Sequence, residues 1–178
     1  ESFSKKSINS LFGSAQLSYD GYLYLDATFR NDWSSALSKK NRSFFYPSVS
    51  FSYVVTDMLN VMDVTLPSWF SYGKLRASYA SVGNDLSPYQ LDNVYRIGKD
   101  PNGNTTASRG NILFDENVKS ELIKSNELGA ELRFFKSRIG VDFSMYKSNA
   151  TNQLIDLPLD PTSGYSAKKI NAGNIQNK

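Results

Sequence analysis

The stretch YLYLDATFRNDW, residues 22–33, decides the fold. Its odd positions hold Leu23, Leu25, Ala27, Phe29 and Trp33, with Asn31 the one polar member, while Tyr22, Tyr24, Asp26, Thr28, Arg30 and Asp32 occupy the even ones. Successive side chains of a strand project to opposite faces, so this spacing makes a strand with one apolar and one wet face. A helix would scatter the same residues around its whole circumference.

The pattern recurs on both sides of that stretch. Upstream, Leu11, Gly13, Ala15, Leu17 and Tyr19 oppose Ser10, Ser14, Gln16 and Ser18. Downstream, Phe45, Val49, Phe51, Tyr53 and Val55 oppose Ser48, Ser50, Ser52 and Thr56, and within residues 72–83 Leu75, Ala77 and Tyr79 oppose Lys74, Arg76 and Ser78. A fifth strand sets Leu128, Ala130, Leu132 and Phe134 against Glu127, Glu131 and Arg133, and a sixth sets Ile139, Val141, Phe143 and Met145 against Asp142, Ser144 and Tyr146. A seventh is expected to start near Asn171.

The links alternate in length. Asp20-Gly21 suits a two-residue hairpin turn, and Lys136-Ser137-Arg138 is nearly as short, whereas residues 34–44, 84–120 and 150–170 read as long loops. Short turns at one end and long loops at the other are the habit of an outer-membrane barrel. One link, residues 57–71, falls at the short end yet is long; its Met58, Leu59, Val61, Met62, Leu66 and Trp69 suit an interfacial helical turn limited by Pro67.

A soluble β-sandwich also alternates dry and wet faces. Strands of about twice the usual 5–6 residues, the link asymmetry, and aromatics near strand ends favour an all-β, antiparallel transmembrane wall. Composition agrees: aromatics are 13% of residues, with 11 Tyr and 11 Phe, while mean hydropathy is only −0.42. No stretch approaches the roughly 18 apolar residues of a spanning helix. Six or seven strands fall short of the roughly eight that close a barrel, so residues 1–178 are expected to form part of one β-barrel domain, without a plug or a signal peptide.

With no His and no Cys, no Ser-His-Asp triad, thiolate nucleophile or cysteine metal site can form. Asp26, Glu127, Glu131 and Asp142 could by type hydrolyse glycosides, but all lie on the wet face, where Arg30, Arg76 and Arg133 balance them. The run from Lys99 to Thr105 is rich in oxygen ligands, yet counting from Asp100 the EF-hand glycine and glutamate positions hold Thr105 and Asn111, so a surface turn is expected. No catalytic residue, metal or cofactor is expected. A net charge of +3 without a basic run argues against nucleic acid.

Several of these stretches together resemble the SusC/RagA-like TonB-dependent outer-membrane transporters of Bacteroidetes. The resemblance is carried by YLYLDATFRNDW with Ser34-Ser35, FYPSVSFSYVVTD at 45–57, KLRASYASVGND at 74–85, ELGAELRFFKSRIGVDFSMYKSNATNQLIDLPL at 127–159, SGY at 163–165 and INAGNIQNK at 170–178. Asp32-Trp33-Ser34-Ser35 and Val118-Lys119-Ser120-Glu121 depart from the family's usual runs. The resemblance implies a plugged barrel of about 22 strands in the bacterial outer membrane, lying among its lipid. It also implies a TonB complex engaged through a plug region, a SusD-like surface lipoprotein as lid, and a glycan or oligopeptide cargo. In such an importer Tyr89, Tyr95, Arg96 and Arg109, on the long-loop side, are the candidate substrate-binding residues. A passive porin or adhesin barrel and a soluble carbohydrate-binding β-sandwich are the alternatives.

Overall fold

The structure, a computed structural model, describes residues 4–178. Seven long strands follow one another as antiparallel neighbours: β1 (Ile8–Tyr19), β2 (Leu23–Ser34), β3 (Ser43–Val54), β4 (Phe70–Asn84), β8 (Glu121–Phe134), β9 (Ile139–Pro158) and β10 (Ala167–Asn177). Between β4 and β8 the chain forms a separate hairpin, β5 (Tyr95–Lys99) with β6 (Thr105–Arg109), and a short β7 (Ile112–Phe114) that pairs in parallel with the start of β10. A short α-helix, α1 (Val55–Val61), leads out of β3.

The register turns each strand's alternation into continuous stripes. Leu17, Leu25, Phe51, Ala77, Leu128 and Met145 are aligned across six strands, and the next row is Tyr19, Leu23, Tyr53, Leu75, Ala130 and Phe143. On the other face run Gln16, Asp26, Ser50, Ser78, Glu127 and Tyr146, then Ser18, Tyr24, Ser52, Arg76, Gly129 and Ser144. The apolar rows are bare: Leu17 is 64% exposed, Leu128 60% and Phe143 57%. A sandwich would cover that face with a second sheet about 10 Å away, but the sheet order shows a single layer. A contiguous apolar face is costly in water and matched by lipid, which weighs against the sandwich alternative.

Aromatics mark both edges of the apolar band. At the short-turn end Tyr22 meets Tyr19 and Tyr53 edge-on, with ring centroids 5.7 and 6.1 Å apart, and Trp69 stacks on Phe134 at 6.0 Å. At the other end Trp33 and Phe45 stand exposed. On β9 the outward apolar run ends at Met145, and the next outward pair up, Lys147 opposite Asn126, is polar.

Turn chemistry follows the sequence. Asp20 (φ 45°) and Gly21 (φ 71°) both take the left-handed conformation that closes a tight hairpin. The second short turn holds Phe135, Lys136 and Ser137 at φ 53°, 56° and 63°; the Ser71 hydroxyl accepts from the Lys136 N–H at 2.8 Å and the Trp69 carbonyl from Phe135 at 2.8 Å.

Three boundaries differ from the periodicity. β3 ends at Val54, and Val55 and Thr56 instead open α1, the helical turn expected in the long link. β8 begins at Glu121, six residues before its alternation becomes clear. The largest difference is at residues 150–170, expected as a loop: β9 continues to Pro158 and β10 starts at Ala167. At roughly 3.3 Å per residue the 20 residues of β9 reach about 65 Å, far beyond the roughly 9–11 residues that cross a bilayer. Its upper half needs no apolar face, and an irregular register between Asn171 and Asn174, with Asn152 at φ 58°, breaks the alternation there.

One wall interaction spans three strands. Arg76 on β4 lies over Gly129 of β8, where a Cβ would collide with its side chain, and donates to Asp142 (2.5 Å) and Ser144 (2.9 Å) on β9.

The dry core is outside the wall. Ala36, Leu37, Leu86 and Val118 form the buried cluster, backed by Phe44, Leu91 and Leu154, and join the β2–β3 loop to both ends of the β4–β8 connection. Hydrogen bonds complete this loop body. Asp85 accepts from Ser34 Oγ, from the Leu86 N–H at 2.8 Å and from Lys6 Nζ at 2.7 Å. The Asn41 amide donates to the carbonyls of Asn117 and Val118, at 2.8 and 3.3 Å. Asn171 imitates a strand partner, accepting from Lys119 N–H at 2.7 Å and donating to its carbonyl at 2.9 Å.

Candidate functional site

On the wet face of the wall, three of the four carboxylates picked out from the sequence have partners among the described residues. Asp142 is tied to Arg76, Glu131 lies 2.6 Å from Arg133, and Asp26 accepts from Ser50 at 3.3 Å. Arg30 pairs instead with Asp32, at 2.7 Å. Among the described residues no group of acidic side chains is placed to hold a metal ion. Asp142, Glu131 and Asp26 are thus partnered as the side chains of a polar wall are.

The long-loop end is built differently. Tyr89, Tyr95, Arg96 and Arg109, picked out individually from the sequence, all line one cleft of about 340 Å³. The β5–β6 hairpin delivers three of them: Tyr95 and Arg109 are cross-strand partners at its base, and Arg96 faces Ser108. Tyr89 arrives from the turn after β4, with φ 58°, an uncommon conformation for a bulky residue. Its hydroxyl accepts from the Lys5 N–H at 3.3 Å.

Arg109 is the most constrained member. Its guanidinium carbon sits 4.1 Å from the centre of the Tyr165 ring, and Nη2 donates to the Gly164 carbonyl at 2.5 Å. Gly164 has φ 75°, and a Cβ there would collide with Nη2, so glycine serves both the turn and the approach of the arginine.

Tyr165, Phe114, Ile112 and Asn93 also line the cleft and were not singled out from the sequence. β7 carries Ile112 and Phe114 beside β10, the Asn93 side chain exchanges two hydrogen bonds with the Phe114 backbone, and Ser166 N–H donates to the Asn111 carbonyl at 2.8 Å. Those contacts join residues 21 to 55 positions apart, and only Tyr165, in the SGY stretch, carried any signal. A second, larger cleft of about 570 Å³ adjoins at Tyr89 and Asp92 and is lined by Lys5, Ser35, Leu37 and Glu116.

Short side chains tie the turns around the clefts. Asp100 accepts from the Asn104 side chain and from the Asn102 and Asn104 N–H groups, Asp115 from Asn117 and Lys168, and Asp160 from Thr162. Hydrogen bonds from these partners hold all three carboxyls below the ordinary aspartate range. The Asp100 arrangement is the surface turn expected from the sequence.

Comparison with known proteins agrees with this architecture. TonB-dependent receptor P3 of Formosa agariphila is 31% identical over 178 residues, covering 95% of this chain and 17% of that protein. TonB-dependent receptor P26 of the same organism is 26% identical, over 96% and 17%. The chain thus spans about a sixth of the length of these relatives. Among solved structures, the RagAB peptide transporter superposes with a TM-score of 0.81 at 22% identity, over 96% of this chain and 19% of that one. The siderophore receptor PirA from Pseudomonas aeruginosa gives 0.61 at 19% identity, over 96% and 29%. At these identities the two structures speak for the fold alone. Both relatives are named as TonB-dependent receptors, and barrels of this kind lie in the outer membrane of Gram-negative bacteria. The family described as TonB dependent receptor-like, beta-barrel matches residues 1–178, and with its bare apolar stripes, paired polar face and long-loop body, this chain belongs to that family.

Proposed function

We propose that the chain supplies wall and outer loops to an energy-coupled importer that moves a glycan or oligopeptide across the outer membrane, by binding and conformational release without covalent chemistry. The observation that carries this reading is the division of labour within one chain: a lipid-facing band, a charged inner face, and a separately packed loop body with clefts. A passive pore needs only the first two. The RagAB structures, described as a peptide importer, support an importer that works with a SusD-like lipoprotein lid. The family supports engagement of the TonB complex through a plug region. Tyr89, Tyr95, Arg96 and Arg109 are the residues proposed to contact cargo, since aromatic faces and guanidinium donors serve sugars and peptides alike.

Uptake of labelled oligosaccharides and oligopeptides by cells carrying the parent gene tests this. Accumulation of one class that stops when TonB is deleted or the proton gradient is collapsed is expected. Accumulation unaffected by either treatment would establish the porin alternative.

A further inference from the structure

We infer that the cleft at the base of the β5–β6 hairpin binds a carboxylate-bearing ligand with a flat apolar body, anchored by Arg109 and Arg96. This rests on the importer reading and adds the chemical class recognised at the site.

Arg109 is set in place before any ligand arrives. One guanidinium face is covered by the Tyr165 ring, and Nη2 is committed to the Gly164 carbonyl. A guanidinium carries five N–H donors, so most remain for an acceptor in the cleft that Arg109 lines. Restricting an arginine in this way lowers the entropy lost when a carboxylate is gripped.

Arg96 lines the same cleft and is exposed, with no ion-pair partner among the described residues. Against these two arginines the lining offers one acid, Asp92. The balance of one positive charge suits a singly charged carboxylate better than a doubly charged phosphate, and the fork geometry of arginine matches a planar carboxylate.

Phe114, Tyr95 and Tyr89 add flat aromatic surface to the lining. The backbone of Tyr89 is held at φ 58° while the residue stays 55% exposed. Strain of this kind persists where the surrounding structure demands it, and it gathers at ligand clamps.

A peptide ending in an aromatic residue and a uronic acid both present a carboxylate beside a flat face. The test uses the full-length parent protein in detergent and isothermal titration with four probes: the tetrapeptide Ala-Ala-Ala-Phe as free acid and as C-terminal amide, and trigalacturonate and its methyl ester. At least one acid is expected to bind about 10- to 100-fold more tightly than its neutral counterpart, the range for a charge-assisted hydrogen bond; which acid does so identifies the source. That gap should shrink in Arg96→Gln, which removes one cation, and in Gly164→Ala, which displaces Arg109. Equal affinity of acid and neutral probes, no binding of any probe, or an undiminished gap in both variants would overturn the inference. Energy-dependent uptake persisting in cells with such a result would leave the importer reading standing and refute only the carboxylate site.

Discussion

The wall and the loop body belong to one chain but are held by different physics. In the wall, Leu17, Leu128 and Phe143 are largely bare, and their burial is completed by lipid. In the loop body, Leu37, Leu86 and Val118 are buried by other residues of the same chain. The wall therefore requires a bilayer to be stable, while the loop body carries a small core of its own, pinned by Asp85 and Asn41. Damage to one should be separable from damage to the other.

The strongest way to break this contrast is a charge on the lipid face. Leu25→Arg or Phe143→Arg should cost roughly 2–4 kcal/mol near the midplane, seen as loss of the heat-modifiable folded band in outer-membrane fractions of cells expressing the full-length parent. Normal insertion of both variants would reverse the assignment of faces. Next, Leu86→Ala should remove about 2 kcal/mol from the loop core alone. Amide exchange should quicken around residues 85–91 and 117–120 while that of β1 to β3 is unchanged, and a matching loss across those strands would show one cooperative unit.

Asp85→Asn should act on the same region by about 1–2 kcal/mol, because it weakens the acceptor shared by Lys6, Ser34 and Leu86. Limited proteolysis should cut in the loops at lower protease concentration, with the wall fragment left intact. Acid is the mildest probe. Asp100, Asp115 and Asp160 have depressed folded pKa values, so their contribution is fully present above the ordinary aspartate value of about 4 and is lost as pH falls through the lower folded values. Exchange near those turns, corrected for its intrinsic pH dependence, should therefore rise below about pH 4 with no change in the wall.

The same contrast explains what was legible in the sequence. A wall strand is encoded by period-2 alternation, because lipid on one side and polar surroundings on the other impose it residue by residue, so Leu23 to Trp33 could be assigned without knowledge of any neighbour. Above the membrane that constraint lapses. The upper half of β9 and the start of β10 were missed because Asn149, Thr151, Asn152 and Gln153 face no lipid and an irregular register shifts their parity. The cleft was half legible. Tyr89, Tyr95, Arg96 and Arg109 stand out as aromatic and basic residues in a polar loop, but no local pattern foretells that β7 brings Phe114 alongside β10, or that Gly164 and Tyr165 clasp Arg109.

Alternation also leaves one ambiguity that the wall resolves elsewhere. A strand displaced by two residues keeps every side chain on its proper face, so hydrophobicity determines parity but not the integer of the register. Arg76 reaches Asp142 and Ser144 only by crossing β8 at the one position without a side chain, Gly129. A two-residue slip of β8 would put Glu127 or Glu131 under the arginine and close that passage. The glycine thus works as the notch of a key, admitting one of several alignments that the bilayer would accept equally.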